Sequence, residues 1–261
     1  TNTIRKYFKN FFKYRYALYF LVRRDFIVKY RRSLLGVFWS VLNPILMMIV
    51  ITAVFSRLFR FDIEYYPVYY LTGYIMFSMF SNATTAAASS VINAFPLMNK
   101  LYIPKYVFPL EKCVFAMVNS CFSLIALICI ALFMKVPASP LWLLVPVPFI
   151  LLFIFTSGAA MVIAALNVIF RDMGHLYSVV IVIAMYATPI FYPVSILSEE
   201  MAAIMEFNPL YRYIDYFRLI FIAGTLPNTA DLAFCLIYAF LSFIIGLFVF
   251  KSLQNRFILY I

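Results

Sequence analysis

Little in this 261-residue chain is charged. Only 12% of its residues are Asp, Glu, Lys or Arg, against about 25% in an average soluble domain. Hydrophobic residues make up 66%, and the mean hydropathy is +0.98. A soluble fold of this size cannot hide that much apolar surface, so the chain belongs among integral membrane proteins. There is one histidine, His175, which excludes a Ser-His-Asp or Cys-His catalytic set and suits a structural or surface role at a helix end. No G-x-x-x-x-G-K-[ST] loop is present to cradle a nucleotide phosphate. The four cysteines, Cys113, Cys121, Cys129 and Cys235, include no C-x-x-C pair. They read as small hydrophobes, and no metal site is expected. No carboxylate pair stands inside an apolar stretch as a proton relay would. The first 32 residues are basic and aromatic without a long apolar core, so no cleavable signal peptide is expected.

What is present is a set of uncharged runs. A crossing helix needs about 20 apolar residues. Six runs reach that scale: Ser33–Ser56, Tyr65–Asn99, Cys113–Met134, Val136–Phe170, Met173–Ser198 and Leu232–Phe250. Six crossings put both termini on one side, and basic residues choose it. Ten of the 21 Lys and Arg precede Ser33, and Lys100, Lys105, Lys112, Arg171, Lys251 and Arg256 join them. Only Arg57, Arg60, Lys135, Arg212 and Arg218 fall on the other side. Both termini are therefore expected in the cytoplasm. The net charge of +11 reflects this orientation, and no nucleic-acid partner is expected.

Segment 1–32 opens with Ile4, Tyr7, Phe8, Phe11, Phe12 and Tyr14 on one helical face and Arg5, Lys6, Lys9 and Lys13 on the other. This predicts an amphipathic helix in the cytoplasmic interface among membrane lipids. It serves either as an anchor or as a contact for a partner or an anionic headgroup. Segment 33–261 holds the crossings. Tyr66, Tyr70, Tyr74 and Phe77 share a face of the second span. They form either an interfacial aromatic belt or a lining on which sugar rings stack. The small-residue run Ser81–Ser90 reads as a packing surface. A cytoplasmic loop over 95–112 carries Pro96, Pro104 and Pro109. Leu97–Tyr102 (Leu97, Met98, Asn99, Lys100, Leu101, Tyr102) can form one or two helical turns, either a tight loop or a lever.

Between the fifth and sixth spans the pattern changes. Thr188–Pro193 cannot be regular helix, since Pro189 and Pro193 interrupt it, and Asn208-Pro209 makes a further break. Segment 189–223 is too apolar for a solvated loop and too broken for a crossing. It is expected to be a re-entrant external hairpin with arms Ile196–Glu206 and Leu210–Ala223. Arg212, Asp215 and Arg218, at i, i+3 and i+6, are expected to ion-pair along the second arm. The expected fold is all-α and integral to the membrane: six crossings, an N-terminal interface helix and this hairpin.

Five motifs in order resemble one family. Tyr30–Pro44 (YRRSLLGVFWSVLNP) looks like the start of the first span of type-2 ABC exporter permeases, Leu97–Leu110 like their coupling helix, and Asn167–Asp172 (NVIFRD), Thr188–Pro193 (TPIFYP) and Phe207–Arg218 (FNPLYRYIDYFR) like later signatures. The similarity is greatest to exporters of cell-surface polysaccharide such as O-antigen or teichoic acid. The resemblance implies a transporter subunit, not an enzyme, that works as two copies in a bacterial cytoplasmic membrane. Two copies of a separate ATPase, which bind ATP and Mg, would contact Leu97–Tyr102; this chain would hold no cofactor. A lipid-linked glycan would be the cargo. Tyr66, Tyr70, Tyr74 and Phe77 would line its route. Pro189, Phe191, Tyr192, Pro193, Asn208, Pro209, Arg212, Asp215 and Arg218 would form the external gate. Arg5, Lys9, Arg31 and Arg32 would contact a pyrophosphate, although the charge asymmetry across the membrane explains them without a ligand. A type-2 exporter of drugs or small lipophilic molecules would share this fold, and a glycan-modifying membrane enzyme would need catalytic groups not found here.

Overall fold

The computed structural model describes residues 2–55, 63–98, 100 and 102–260, with the backbone alone for 2–13 and 258–259. Eleven α-helices are described: α1 (Asn2–Tyr30), α2 (Trp39–Val54), α3 (Tyr66–Ala88), α4 (Ser90–Asn93), α5 (Phe95–Met98), α6 (Val107–Phe133), α7 (Pro146–Ile169), α8 (Met173–Ala187), α9 (Glu199–Glu206), α10 (Pro209–Arg218) and α11 (Thr229–Leu253). No strand is found among the described residues.

Four helical stretches are long and apolar enough to cross a bilayer: Gly36–Phe55, Val107–Phe133, Pro140–Ile169 and Thr229–Phe257. The other two crossings depart from that standard for physical reasons. Helix α3 carries Thr72, Ser78, Ser81, Asn82, Thr84 and Thr85, which lower its hydropathy. It tolerates them because it is the centre of the bundle. Val68, Leu71, Thr72, Ile75, Ala83, Thr84 and Ala87 are fully buried. Thr84 returns its hydroxyl to the Phe80 carbonyl at 2.7 Å, as a threonine in an apolar helix must. Helix α8 has only 15 residues and is completed by the unwound Thr188–Pro193 segment.

Two local devices shape the bundle. Pro44 sits inside α2 and has no N–H for the Ser40 carbonyl four residues back. The Ser123 hydroxyl of α6 donates to that carbonyl instead, at 3.1 Å. Helices α7 and α11 meet at Gly158 and Gly246. A Cβ on Gly158 would collide with the Ser242 and Phe243 backbone, and one on Gly246 with the Gly158 backbone. Glycine lets the two helices approach closely where lipid supplies no hydrophobic drive.

Three expectations need adjusting. The cytoplasmic loop is shorter than 95–112, because α6 already begins at Val107. Pro109 falls on its third residue, where the first-turn N–H groups have no helical partner to lose. Among the described residues the short helix is Phe95–Met98, and Lys100 follows in a turn that donates its N–H to the Leu97 carbonyl at 3.1 Å. Asn99 and Leu101 lie outside the described residues. The hairpin's first arm starts at Glu199, where the Ser198 hydroxyl accepts from the Met201 N–H and caps the helix. Its second arm is α10 with a π turn, Leu219–Ala223, ended by Gly224 at φ 63°.

Candidate functional site

The hairpin surrounds the unwound end of α8. Non-helical backbone at membrane depth must be paired by protein. Here four successive carbonyls receive side-chain donors. Arg218 donates to Pro189 O at 2.9 Å and to Ile190 O at 3.4 Å. Tyr66 donates to Phe191 O at 2.9 Å, and Tyr69 to Tyr192 O at 2.9 Å. The Arg218 guanidinium also lies 3.5 Å from the Tyr69 ring centroid. Gly73 leaves the space, since a Cβ there would come within 2.8 Å of Arg218 Nη2. Asn208 caps α10 through the Leu210 and Tyr211 amides and donates to Thr188 Oγ1 at 3.1 Å. Phe191 packs between the Phe55, Tyr70 and Tyr186 rings.

The hairpin does not cross. Tyr238 donates to the Phe207 carbonyl between the two arms. Tyr238 is nine residues into α11, about 14 Å along its axis at 1.5 Å per residue. The far end of the second arm returns to the loop between α6 and α7. There Trp142 stacks on Phe221 at 4.5 Å and donates to its carbonyl at 3.0 Å.

The expected ion-pair ladder on α10 is absent. Arg212 pairs with Asp231 at 2.6 Å and with Glu206 at 3.7 Å. Arg218 turns to backbone carbonyls, and half-buried Asp215 takes no ion pair among the described residues. Residues three apart on one helix share a face, but burial on α3 draws Arg218 toward the stronger demand, carbonyls with no helical donor. The aromatic stripe is also divided. Tyr66, Tyr70 and Phe77 are buried inside the chain, and only Tyr74 opens on a cavity. Tyr69, which the stripe's spacing passes over, carries as much of the cradle as Tyr66. Its signal was present in the sequence as the i+3 neighbour of Tyr66. Pro193 ends the unwound stretch and leads into a 3-10 turn, Val194–Ile196, and Pro209 opens α10.

At the opposite end of the bundle from the hairpin, Leu97 and Met98 pack against Leu21, Val107 and Phe108. Lys100 is exposed, and Tyr102 is 93% exposed. Lys105 donates to the Gln254 carbonyl at 2.8 Å and lies 5.4 Å from the Phe257 ring centroid. The loop is thereby tied to the end of α11, and burial pulls the Lys105 pKa below its ordinary value. Helix α1 docks on α6 through Asp25, which pairs with Lys112. Burial alone would raise the Asp25 pKa, but Lys112 and Arg24 hold it below the usual carboxylate range. Arg31 and Arg32 are exposed where the chain turns into α2, with Arg32 at φ 67°. The side chains of Arg5 and Lys9 lie outside the described residues.

Between these ends, a cavity of about 160 Å³ opens among the end of α1 and helices α2, α3 and α6. Trp39, Asn43, Tyr74, Ser78, Asn82 and Asn119 line it, with Lys29 and Tyr30 at its edge. The Lys29 ammonium and the Tyr30 and Ser40 hydroxyls all donate to Asn119 Oδ1, at 3.1, 3.0 and 2.8 Å. Asn82 and Asn119 were not singled out from the sequence, because polar residues dispersed over different helices leave no periodic signal.

A bundle of apolar crossings with a re-entrant hairpin at one end and a basic, proline-bounded loop at the other is the architecture of a multi-pass membrane protein. The chain belongs to the ABC-2 type transporter family, which matches residues 16–222. It is similar to the O-antigen export system permease protein RfbA of Myxococcus xanthus, 30% identical over 228 residues, 86% of this chain and 87% of that protein. Two proteins of the same name from Klebsiella pneumoniae are each 28% identical over 238 residues, 91% of this chain and 92% of theirs.

Proposed function

We propose that this chain is the membrane permease of an ATP-driven exporter that moves lipid-linked cell-surface polysaccharide across a bacterial cytoplasmic membrane. The observation that carries the reading is similarity to O-antigen export permeases along nine-tenths of the chain, hairpin included. Two copies would form the pathway. A separate ATPase, binding ATP and Mg, would press on the segment from Leu97 to Tyr102, and this chain would need no cofactor of its own. Lys105 would pass that movement to the end of α11, whose outer part pairs with the hairpin through Arg212 and Asp231. Arg31 and Arg32 stand at the inner interface, where a pyrophosphate headgroup would sit.

Deleting the gene should leave lipid-linked glycan inside the cell and remove it from the surface, as an immunoblot of fractionated cells would read. Purified alone, the chain should not hydrolyse ATP. Unchanged surface glycan with export of a lipophilic drug lost would replace glycan by small molecules as cargo. Orientation has its own check. A cysteine at Ser198 or Asn228 should react with an impermeant reagent from outside, and one at Gln254 only from inside. Reaction of Ser198 and Asn228 from opposite sides would mean a seventh crossing.

A further inference from the structure

The cavity among α1, α2, α3 and α6 has a composition that lipid cannot explain. Asn43 and Asn82 are exposed on the surface of this single chain, within helices that cross the membrane, and neither has a hydrogen bond among the described residues. An unpaired amide facing hydrocarbon is costly, so these groups face water or a ligand. Asn119 adds a third. Its Oδ1 already accepts from Lys29, Tyr30 and Ser40, which leaves its Nδ2 as a donor without a protein partner among the described residues. The three amides come from three different helices and are held by structure around them. Ser123, buried, fixes α6 against the Pro44 bend of α2 by donating to Ser40 O. Beside the amides stand two aromatic side chains, Trp39, 44% exposed, and Tyr74, the one member of the α3 stripe not covered by the chain itself.

Size and chemistry then narrow the ligand. The volume, about 160 Å³, matches about five waters, or one six-membered ring, since a cavity of about 150 Å³ holds a benzene, and the open mouth leaves space for hydroxyls. Amides that both donate and accept suit hydroxyl groups, which do the same. Aromatic faces suit the C–H groups of a pyranose. Lys29 is the one charged residue in the lining, and its ammonium is already directed at Asn119. An anion site would need more uncompensated positive charge than this.

We propose that this cavity is a binding site for one neutral pyranose ring, seated on Trp39 and Tyr74 and hydrogen-bonded by Asn43, Asn82 and Asn119. The inference rests on the glycan-export reading and deepens it. Glycan is held at a built site on the cytoplasmic side before it reaches the outer hairpin, where the remaining stripe residues are packed away.

The test uses the whole complex with its ATPase, purified without ATP from cells that make their own lipid-linked glycan. That glycan is the probe, read as hexose bound per complex. Asn43→Leu combined with Asn82→Leu should lower bound hexose about tenfold, the worth of one or two lost hydrogen bonds. Asn82→Gln should restore part of it, and surface export in cells should fall in step. Both positions are exposed, so folding is checked by an unchanged elution volume and retained ATPase subunit. Raising the salt from about 0.1 M to about 1 M should leave bound hexose within about twofold, since the salt-dependent share of a neutral ligand's affinity is small. Bound hexose equal to the parent in the double variant overturns the site. So does loss at high salt with none in the asparagine variants, which would mark an anion site. If the parent complex carries no hexose and the deletion strain accumulates no glycan, the export reading itself fails, and that result differs from either of the others.

Discussion

At the outer end, four consecutive carbonyls from Pro189 to Tyr192 each accept a side-chain donor, and the donors come from α3 and α10. At the opposite end the links are fewer and run through two lysines. Lys105 reaches one carbonyl of the last turn, and Lys112 bridges α6 to Asp25 of α1. The first arrangement is buried and has many partners, so it holds a broken helix in one shape. The second is uneven: the Lys105 link is half-exposed and can be released at small cost, whereas Lys112 and Asp25 are only 20% and 19% exposed and Lys112 also pairs with buried Glu111, so that cluster holds α1 on α6. The proposed exporter would use this difference: a hairpin end whose irregular backbone stays paired, and a loop end tied to α11 by the single yielding link of Lys105.

The largest effect that would break the contrast is at Arg218. Arg218→Leu leaves the Ile190 carbonyl without a side-chain donor and the Pro189 carbonyl with only the long 3.5 Å contact from Tyr69, in a buried place. At about 1–3 kcal/mol for each unpaired group, the loss should be about 3 kcal/mol. Thermal unfolding of the purified chain in detergent should show it, with faster hydrogen exchange confined to the segment after α8. Arg218→Lys should fall between, since one ammonium lacks the planar fork that reaches two carbonyls. A parent-like melting curve for Arg218→Leu would mean the cradle holds nothing.

Next comes Gly158, which belongs to neither end and calibrates both. A Cβ there meets the Ser242 and Phe243 backbone, which cannot rotate away. Gly158→Ala should cost about 2 kcal/mol by overpacking and push α7 from α11. If the chain tolerates it, the two helices slide freely and the outer hairpin has no fixed base.

These two positions also show what the sequence could carry. The six crossings, the hairpin and its breaks at Pro189, Pro193 and Pro209 were legible, because proline and charge act on the residues that bear them. The partners of Arg218 were not. Helical spacing reports neighbours on the same helix and predicted Asp215, whereas the actual acceptors lie 28 and 29 residues away in an unwound segment. Likewise the Tyr66, Tyr70 and Phe77 stripe was visible as a face, but not which neighbour would cover it. The short helix among the described residues begins at Phe95, two residues before Leu97, with Pro96 second in its first turn, where no helical N–H is lost.

A smaller effect sharpens the middle of the comparison. Ser123→Ala removes the side-chain donor that serves Ser40 O at the Pro44 bend, and should cost about 1 kcal/mol. Because Ser123 lines the same cavity as Asn119, the variant should also weaken hexose retention while leaving the outer labelling pattern intact.

The smallest effect on stability is expected at Lys105, and it tests whether the inner end is built to yield. Lys105→Met removes one charged donor to Gln254 O and one cation–π contact with Phe257, while the methionine stem still fills the space. Both contacts are partly solvated, and burial already disfavours the charged ammonium, so the net loss should be under about 1 kcal/mol. The melting temperature should therefore barely move. Hydrogen exchange over Gln254–Leu259 should nevertheless quicken, because that 3-10 turn loses its tie to the loop. In the complex, ATP turnover should persist while export falls, the mark of a lost link between loop and bundle. A large drop in melting temperature with export preserved would reverse the assignment: Lys105 would then brace the fold, and the movement would pass through Leu97 and Met98 into α1 and α6 instead.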